Sequence, residues 1–156
     1  MKIRNLKKSD IPEVVDLIRP MWLDHAKKSK PLLDYDYIAK YDVAGYLSRL
    51  LDDPTEIMFV AEIDDKIVGV ASAKIEKPAG MYGVDKMMYL DDLVVHEDYR
   101  RQGIADKLMD ARLDYAKSLG ITKCYSKIYN FNTAPQQLAK KHGFSDLYHF
   151  YYKFLD

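Results

Sequence analysis

The chain has 156 residues, roughly the length of one domain, which excludes tandem modules and long repeat arrays. With 48% hydrophobic and 31% charged residues and only 7 Gly and 6 Pro, it is neither disordered nor fibrous. Its 24 basic and 24 acidic side chains cancel, so no overall field favours nucleic acid or a membrane surface, and neither is an expected partner.

Residues 2–6 read as a short strand. Ser9, Asp10, Pro12 and Glu13 form a helix start, with a capping side chain, a first-turn proline and an acid where the helix dipole favours it. Val14, Val15, Leu17 and Ile18 supply its apolar stripe as far as Pro20. A second helix is expected over 36–51, where Ile38, Tyr41, Tyr46, Leu47, Leu50 and Leu51 fall near helical spacing and Asp52, Asp53 and Pro54 stop it. Residues 56–62 and 66–75 flank Asp64 and Asp65 as a hairpin. A loop follows over 77–86, then the most apolar strand, 87–95, interrupted only by Asp91 and Asp92. The clearest helix runs from Ile104 to Leu119, with Leu108, Ala111 and Tyr115 on its apolar side and Gly120 as its stop. A strand at 123–129, a helix at 134–142 and an aromatic strand at 147–154 complete the chain. This order predicts an α/β fold, a mixed sheet with helices on its faces.

Charge is uneven along the chain. Residues 31–65 hold nine acids against Lys40 and Arg49, a net of −7, whereas residues 99–156 hold ten bases against five acids, a net of +5. One reading is a basic end that holds an anion and an acidic end that receives a cation; the other is solvated faces of uneven charge. The single Cys124 makes no internal disulfide and suits a reducing compartment. The N-terminus has the charge of a signal peptide without the apolar stretch behind it, and no segment approaches the ~20 apolar residues of a membrane helix. A cytoplasmic protein is expected.

The chemistry concentrates between Tyr89 and Met109. A strand ends at Val95, His96 to Tyr99 form a loop, and Arg100-Arg101-Gln102-Gly103-Ile104-Ala105 leads into the helix. Gly103 removes a side chain where the free amides of a first helical turn point outward, and Ala105 keeps that surface small. With the positive helix end and two arginines, this suits a phosphate or pyrophosphate; the alternative is a helix start that is merely capped. A Walker-type loop would need Lys-Ser or Lys-Thr where Ala105-Asp106 stand, and a dinucleotide fingerprint would need three spaced glycines.

The segment resembles the GNAT superfamily of N-acetyltransferases, which bind acetyl-coenzyme A. Arg100, Gly103 and Ala105 match the family's glutamine-or-arginine-x-x-G-x-glycine-or-alanine motif, and Asn132, Gly143 and Phe144 match a second element. The resemblance implies a single acetyltransferase domain over 1–156, with a mostly antiparallel sheet splayed at the cofactor-binding strand. It further implies that the backbone of Leu93, Val94 and Val95 pairs with the pantetheine arm. The amides of Arg101, Gln102, Gly103, Ile104, Ala105 and Asp106 would hold the pyrophosphate beside Arg100, and Asn132 would touch the pantetheine or its loop. Many members place a tyrosine seven residues after the asparagine to protonate the leaving thiolate; here that position is Ala139, and Tyr129 or a water is the substitute considered. Asp106 would repel a pyrophosphate unless it points away or caps the helix.

Acetyl transfer to an amine requires the ammonium to lose a proton. Asp91 and Asp92 are the candidate catalytic carboxylates, since an unpartnered carboxylate in an apolar strand is costly. Strand alternation allows one of them to face the reaction centre. Asp91 has first claim, because it aligns with an active-site glutamate of polyamine-type members, and Asp92 suits a structural role. The resemblance implies that the N-terminal third walls the substrate side, so Asp34, Tyr35 and Asp36, with Tyr37, Tyr41 and Asp42 nearby, are expected to receive a cationic amine of a small molecule or peptide; the alternative is an exposed helix with a tyrosine stripe against the core. The four histidines show no metal-ligand spacing, so no metal is expected. Cys124 is no nucleophile, which leaves direct attack on the thioester. The rival reading is a non-catalytic acyl-coenzyme A binding regulatory domain. The aromatic run at the C-terminus suits a homodimer contact or a strand packed on the core.

Overall fold

A computed structural model describes every residue except Pro31, Tyr148 and Asp156. Five strands, β1 (Lys2–Asn5), β2 (Glu56–Ile63), β3 (Lys66–Glu76), β4 (Met87–Val95) and β5 (Cys124–Tyr125), form one sheet in that spatial order. All neighbours are antiparallel except β4 and β5, which run parallel. Asp64 and Asp65 take positive φ and close the β2–β3 hairpin, as expected of a two-residue turn. The α/β fold with a mixed sheet is therefore present, and its helices α1 (Ile11–Lys28), α2 (Tyr35–Lys40), α3 (Val43–Asp52), α4 (Ile104–Ser118) and α5 (Thr133–Lys141) cover both faces.

Strand alternation, shifted by one residue of β3 at the β2–β3 irregularity beside Ala61 and Glu62, sorts the core. Met58, Val60, Ile67 and Val70 turn to one face, where Val14, Leu17 and Ile18 of α1 and Val43 and Leu47 of α3 pack on them. Ala61, Val68, Ala71 and Val95 turn to the other, against Ile104 and Leu108 of α4. Near the open end of the sheet, Ala73, Met88 and Leu90 continue that second layer with Met109 and Ala116.

Four expectations are corrected. The first helix does not end at Pro20: α1 continues to Lys28, because Pro20 lies on the exposed side, where the carbonyl of Asp16 can be hydrated, while the buried stripe extends on to Ala26. The helix expected over 36–51 is two helices. Tyr41 turns extended at ψ 138°, and Asp42 starts α3 by accepting from the Gly45 N–H at 2.9 Å. The strand over 123–129 shrinks to Cys124 and Tyr125, since an irregularity in β4 carries its continuation away from them. The strand over 147–154 is absent among its described residues. A two-residue neighbour offers too short an edge to pair with, and Leu147, Phe150 and Tyr151 are at least 74% exposed.

Candidate active site

The register of β3 against β4 slips in the middle of β4. Ala71 faces Leu93 and Ala73 faces Leu90, so Asp91 and Asp92 together oppose the single residue Ser72. This is a β-bulge, and it breaks the alternation. Asp92 accepts a 2.9 Å bond from Trp22 Nε1 on α1, and Tyr46 of α3 feels the charge of both carboxylates. The expectation that only one of the pair faces the cleft is thus corrected: the extra residue turns both to the α1 side. Asp91 lies exposed on the cleft floor, close to protein on several sides, and partial desolvation raises its pKa against a restraining contact from the Tyr89 hydroxyl. Asp92 is pushed up to about 7, chiefly by burial and then by the charge of Asp91, with the Trp22 bond opposing.

The bulge also splays the sheet. Pairing of β4 with β5 stops at Tyr89 and Tyr125, so beyond that point β4 has no strand on its outer side. The bond from the His96 N–H to the Val68 carbonyl, 2.8 Å, sets the phase of the antiparallel ladder. By that phase the amides and carbonyls of Leu93 and Val95 face the open edge and those of Val94 face β3. Arg100 Nε takes the Val95 carbonyl at 3.1 Å.

That edge leads to the start of α4. Arg101 and Gly103 both take positive φ, 61° and 75°, and curl the loop into a concave rim. An ideal Cβ at Gly103 would meet nothing within 4 Å, so it would project into the concavity. The first helical bond is from Lys107 N–H to the Gly103 carbonyl, which leaves the amides of Ile104, Ala105 and Asp106 without intrahelical partners. Gln102 reaches back to the Asp98 carbonyl at 3.3 Å. The Asp106 carboxylate points away, pairing with Lys141 of α5 at 2.6 Å and with His142 just beyond it at 3.2 Å, and those bonds lower its pKa. A rim of free amides beside Arg100 and Arg101, with the Asp106 carboxylate turned outward, fits a pyrophosphate.

Asn132 stands just before α5 without a capping side-chain bond, and its Nδ2 lies instead 3.0 Å from Nε2 of His25 on α1, beside stacked Tyr129 and Phe131. Ala139 is 8% exposed, packed inside α5. The opposite wall is aromatic: Tyr37, Tyr41, Tyr46 and Trp22 form a chain with neighbouring centroids 5.5 to 6.2 Å apart. Asp34, Tyr35 and Asp36 do not line the cleft. The Asp34 carboxylate caps α2 through the Tyr37 N–H, Tyr35 lies under Lys27 and Asp36 is exposed. The cleft-facing residues of that segment lie one turn later. Among the described residues, no group of three His, Cys, Asp or Glu could hold a metal ion.

Sequence reasoning missed Trp22, Tyr46 and Arg112. Trp22 carries a signal, as the single tryptophan of the chain on the stripe of α1. Arg112 carries a clearer one. It falls four and eight residues after Leu108 and Ile104, a cation on the apolar side of α4, and it is 2% exposed.

Residues 11–144 match the Acetyltransferase (GNAT) family. An "Uncharacterized N-acetyltransferase" of Archaeoglobus fulgidus is 30% identical over 116 residues, covering 74% of this chain and 74% of that one. A protein of Bacillus halodurans shares the fold at a TM-score of 0.86 and 18% identity, over 99% of this chain and 100% of that one. An aminoglycoside N-acetyltransferase solved with CoA does so at a TM-score of 0.73 and 20% identity, over 99% and 100%. The family match spans most of the chain, from the first turn of α1 to the residues after α5, and the archaeal relative agrees over three quarters of it. The chain therefore belongs to the GNAT family and is an acetyltransferase.

Proposed function

We propose that the protein moves an acetyl group from acetyl-coenzyme A to a primary amine of a small molecule or peptide. The observation that carries this reading is the β4 bulge, which sets two carboxylates at the point where β4 loses its outer neighbour. Pantetheine would lie along the open edge at Leu93, Val94 and Val95, with its amides bonded to the free groups there. Asn132 would border it on the α5 side. Arg101, Gln102, Gly103, Ile104, Ala105 and Asp106 would hold the pyrophosphate through their amides, and Arg100 and Arg101 would add charge. The thioester supplies an acetyl group activated toward amines.

The chain's own residues then handle the proton and the cation. An ammonium entering between the aromatic wall and Asp91 gains cation–π contact with Tyr37 or Tyr41 and an opposite charge. Asp91, exposed and coupled to Asp92, takes the ammonium proton directly or through water, and the neutral nitrogen attacks the thioester carbonyl. A carboxylate pair whose pKa values are both raised by burial suits this step, because it is a stronger base than an ordinary carboxylate while still releasing the proton to solvent. Buried Ala139 offers no acid for the departing thiolate, which takes its proton from water. The lone Cys124 suits a reducing, cytoplasmic setting.

The test is calorimetric titration with acetyl-coenzyme A, then thiol release in the same sample against polyamines, lysine peptides and aminoglycosides. Binding with amine-dependent release is expected. In Asp91→Asn, turnover should fall at least tenfold at pH 7 while cofactor affinity holds within a factor of two. Binding without release on any amine would move the reading to a regulatory acyl-coenzyme A domain, and unchanged turnover would remove Asp91 from the mechanism.

A further inference from the structure

Arg112 is a buried guanidinium that meets no counter-ion among the described residues. Among the described residues its partners are the Ser72 carbonyl at 3.1 Å, the Asp92 carbonyl at 3.5 Å and the Met109 sulfur at 3.4 Å, while its Nε has none. Both carbonyls belong to the bulge itself, Ser72 on β3 and Asp92 on β4. Arg112 reaches them from the α4 side, whereas the carboxylates of Asp91 and Asp92 open to the α1 side.

We propose that Arg112 is a positioning residue for the reaction: from beneath the bulge it fixes the backbone at Ser72 and Asp92 and supplies the positive charge that keeps the Asp91–Asp92 pair able to accept a proton. The inference rests on the reading of that pair as the proton acceptor. A methionine or leucine would fill the same space without the cost of burying a charge, so packing alone does not call for an arginine. The energetic return lies in the field of the two carboxylates, which stabilises the buried cation. Even so, burial brings the guanidinium down to about 10, with Asp91, Asp92 and Cys124 opposing that fall. By reciprocity the cation favours the ionised carboxylates, and it acts on both.

The other charged and titratable groups facing the pair are Lys74 of β3, Glu56 of β2, Tyr46 of α3, Tyr89 of β4 and Lys127 beyond β5. Lys74 is engaged by Glu56 at 3.2 Å, and Lys127 lies 5.6 Å from the Tyr89 ring centre. Both lysines are on the solvent side of the cleft, where water screens them. Arg112 is the cation shielded from solvent, so its loss is the one that salt or water does not replace.

The experiment follows the carboxyl carbons of Asp91 and Asp92 by NMR from pH 4 to 9, together with the pH profile of kcat/KM, in the wild type, Arg112→Met and Arg112→Lys. In Arg112→Met both carboxyl titrations and the acid limb of the profile should move up by about one pH unit, so that a roughly fivefold loss at pH 7 recovers by pH 9. Arg112→Lys, which retains the charge, should leave titrations and limb within a few tenths of a unit of the wild type. If Arg112→Met does not fold, Arg112→Gln, polar and neutral, replaces it with the same expectation. Carboxyl titrations that stay in place in the neutral variants, or that move equally far in Arg112→Lys, overturn the inference. A wild-type profile with no acid limb traceable to the pair would instead sink the acceptor reading, and the carboxyl titrations would still decide what Arg112 does.

Discussion

Two carboxylates on neighbouring residues of one strand repel each other once a bulge turns both to the same side, and a desolvated setting strengthens that repulsion. The folded protein holds Asp92 near 7, well above the ordinary carboxylate value of about 4, so the unfolded chain ionises this group first. A group raised in this way contributes its full stability below pH 4 and loses it as pH rises through 7. Asp92→Asn removes that loss and keeps an oxygen for the Trp22 N–H. At pH 8 the variant should be more stable than the wild type by roughly 1–3 kcal/mol, and at pH 4 about equal. Urea unfolding at the two pH values checks this, and equal stability at both would place Asp92 at an ordinary pKa. At this scale the sequence was readable in part. Two acids in an apolar strand stood out by their cost, and Gly103 by its place before a helix. Their shared face did not, because a bulge is a property of two paired strands and leaves no mark in one strand's pattern.

At the scale of elements, the start of α4 makes the sharpest demand. Gly103 sits at φ 75°, a conformation that a β-branched residue adopts only with strain of about 1–3 kcal/mol, and its missing Cβ keeps the rim open. Gly103→Val should therefore weaken binding of coenzyme A at least tenfold in calorimetry and lower the melting temperature by several degrees. Equal affinity in a folded variant would remove the pyrophosphate from this rim. The elements that sequence located well, the β2–β3 hairpin, β4 and α4, have strong periodicity and polar turns at their ends. Pro20 misled because its exposed position spares the helix, and Tyr41 misled because its spacing continues the stripe while its backbone breaks it. A closer reading of Asp42-Val43-Ala44-Gly45 as a cap followed by a helix start would have found the break.

On the scale of the whole molecule, the uneven charge of the chain takes a spatial form. The basic C-terminal part contributes Arg100, Arg101, Lys140 and Lys141 to the cleft, while the acidic segment contributes Tyr37, Tyr41 and Tyr46 of the aromatic wall. Net charge alone thus overstated the acids: Asp34 and Asp42 are engaged as helix caps. One sheet shared by both helical layers supports a single cooperative unit over the chain. A single melting transition is expected, and coenzyme A at a hundredfold excess over its Kd should raise its midpoint by roughly 5–10 °C, from about 2.7 kcal/mol of linked stabilisation. Two separate transitions, or one unmoved by coenzyme A, would contradict this.

The sequence by itself determined what local forces decide: the family motif, the amide-rich start of α4, the hairpin, and the outward-or-inward choice along regular strands. Those features rest on φ preferences, caps and periodicity, which each segment carries alone. Tertiary structure decided the rest. Whether Asp91 and Asp92 share a face depends on the register of β4 against β3, which residues wall the cleft depends on how α2 and α3 break and pack, and the partnership of Arg112 with both acids exists only across the thickness of the sheet, where low dielectric lets a charge on one face act on the other.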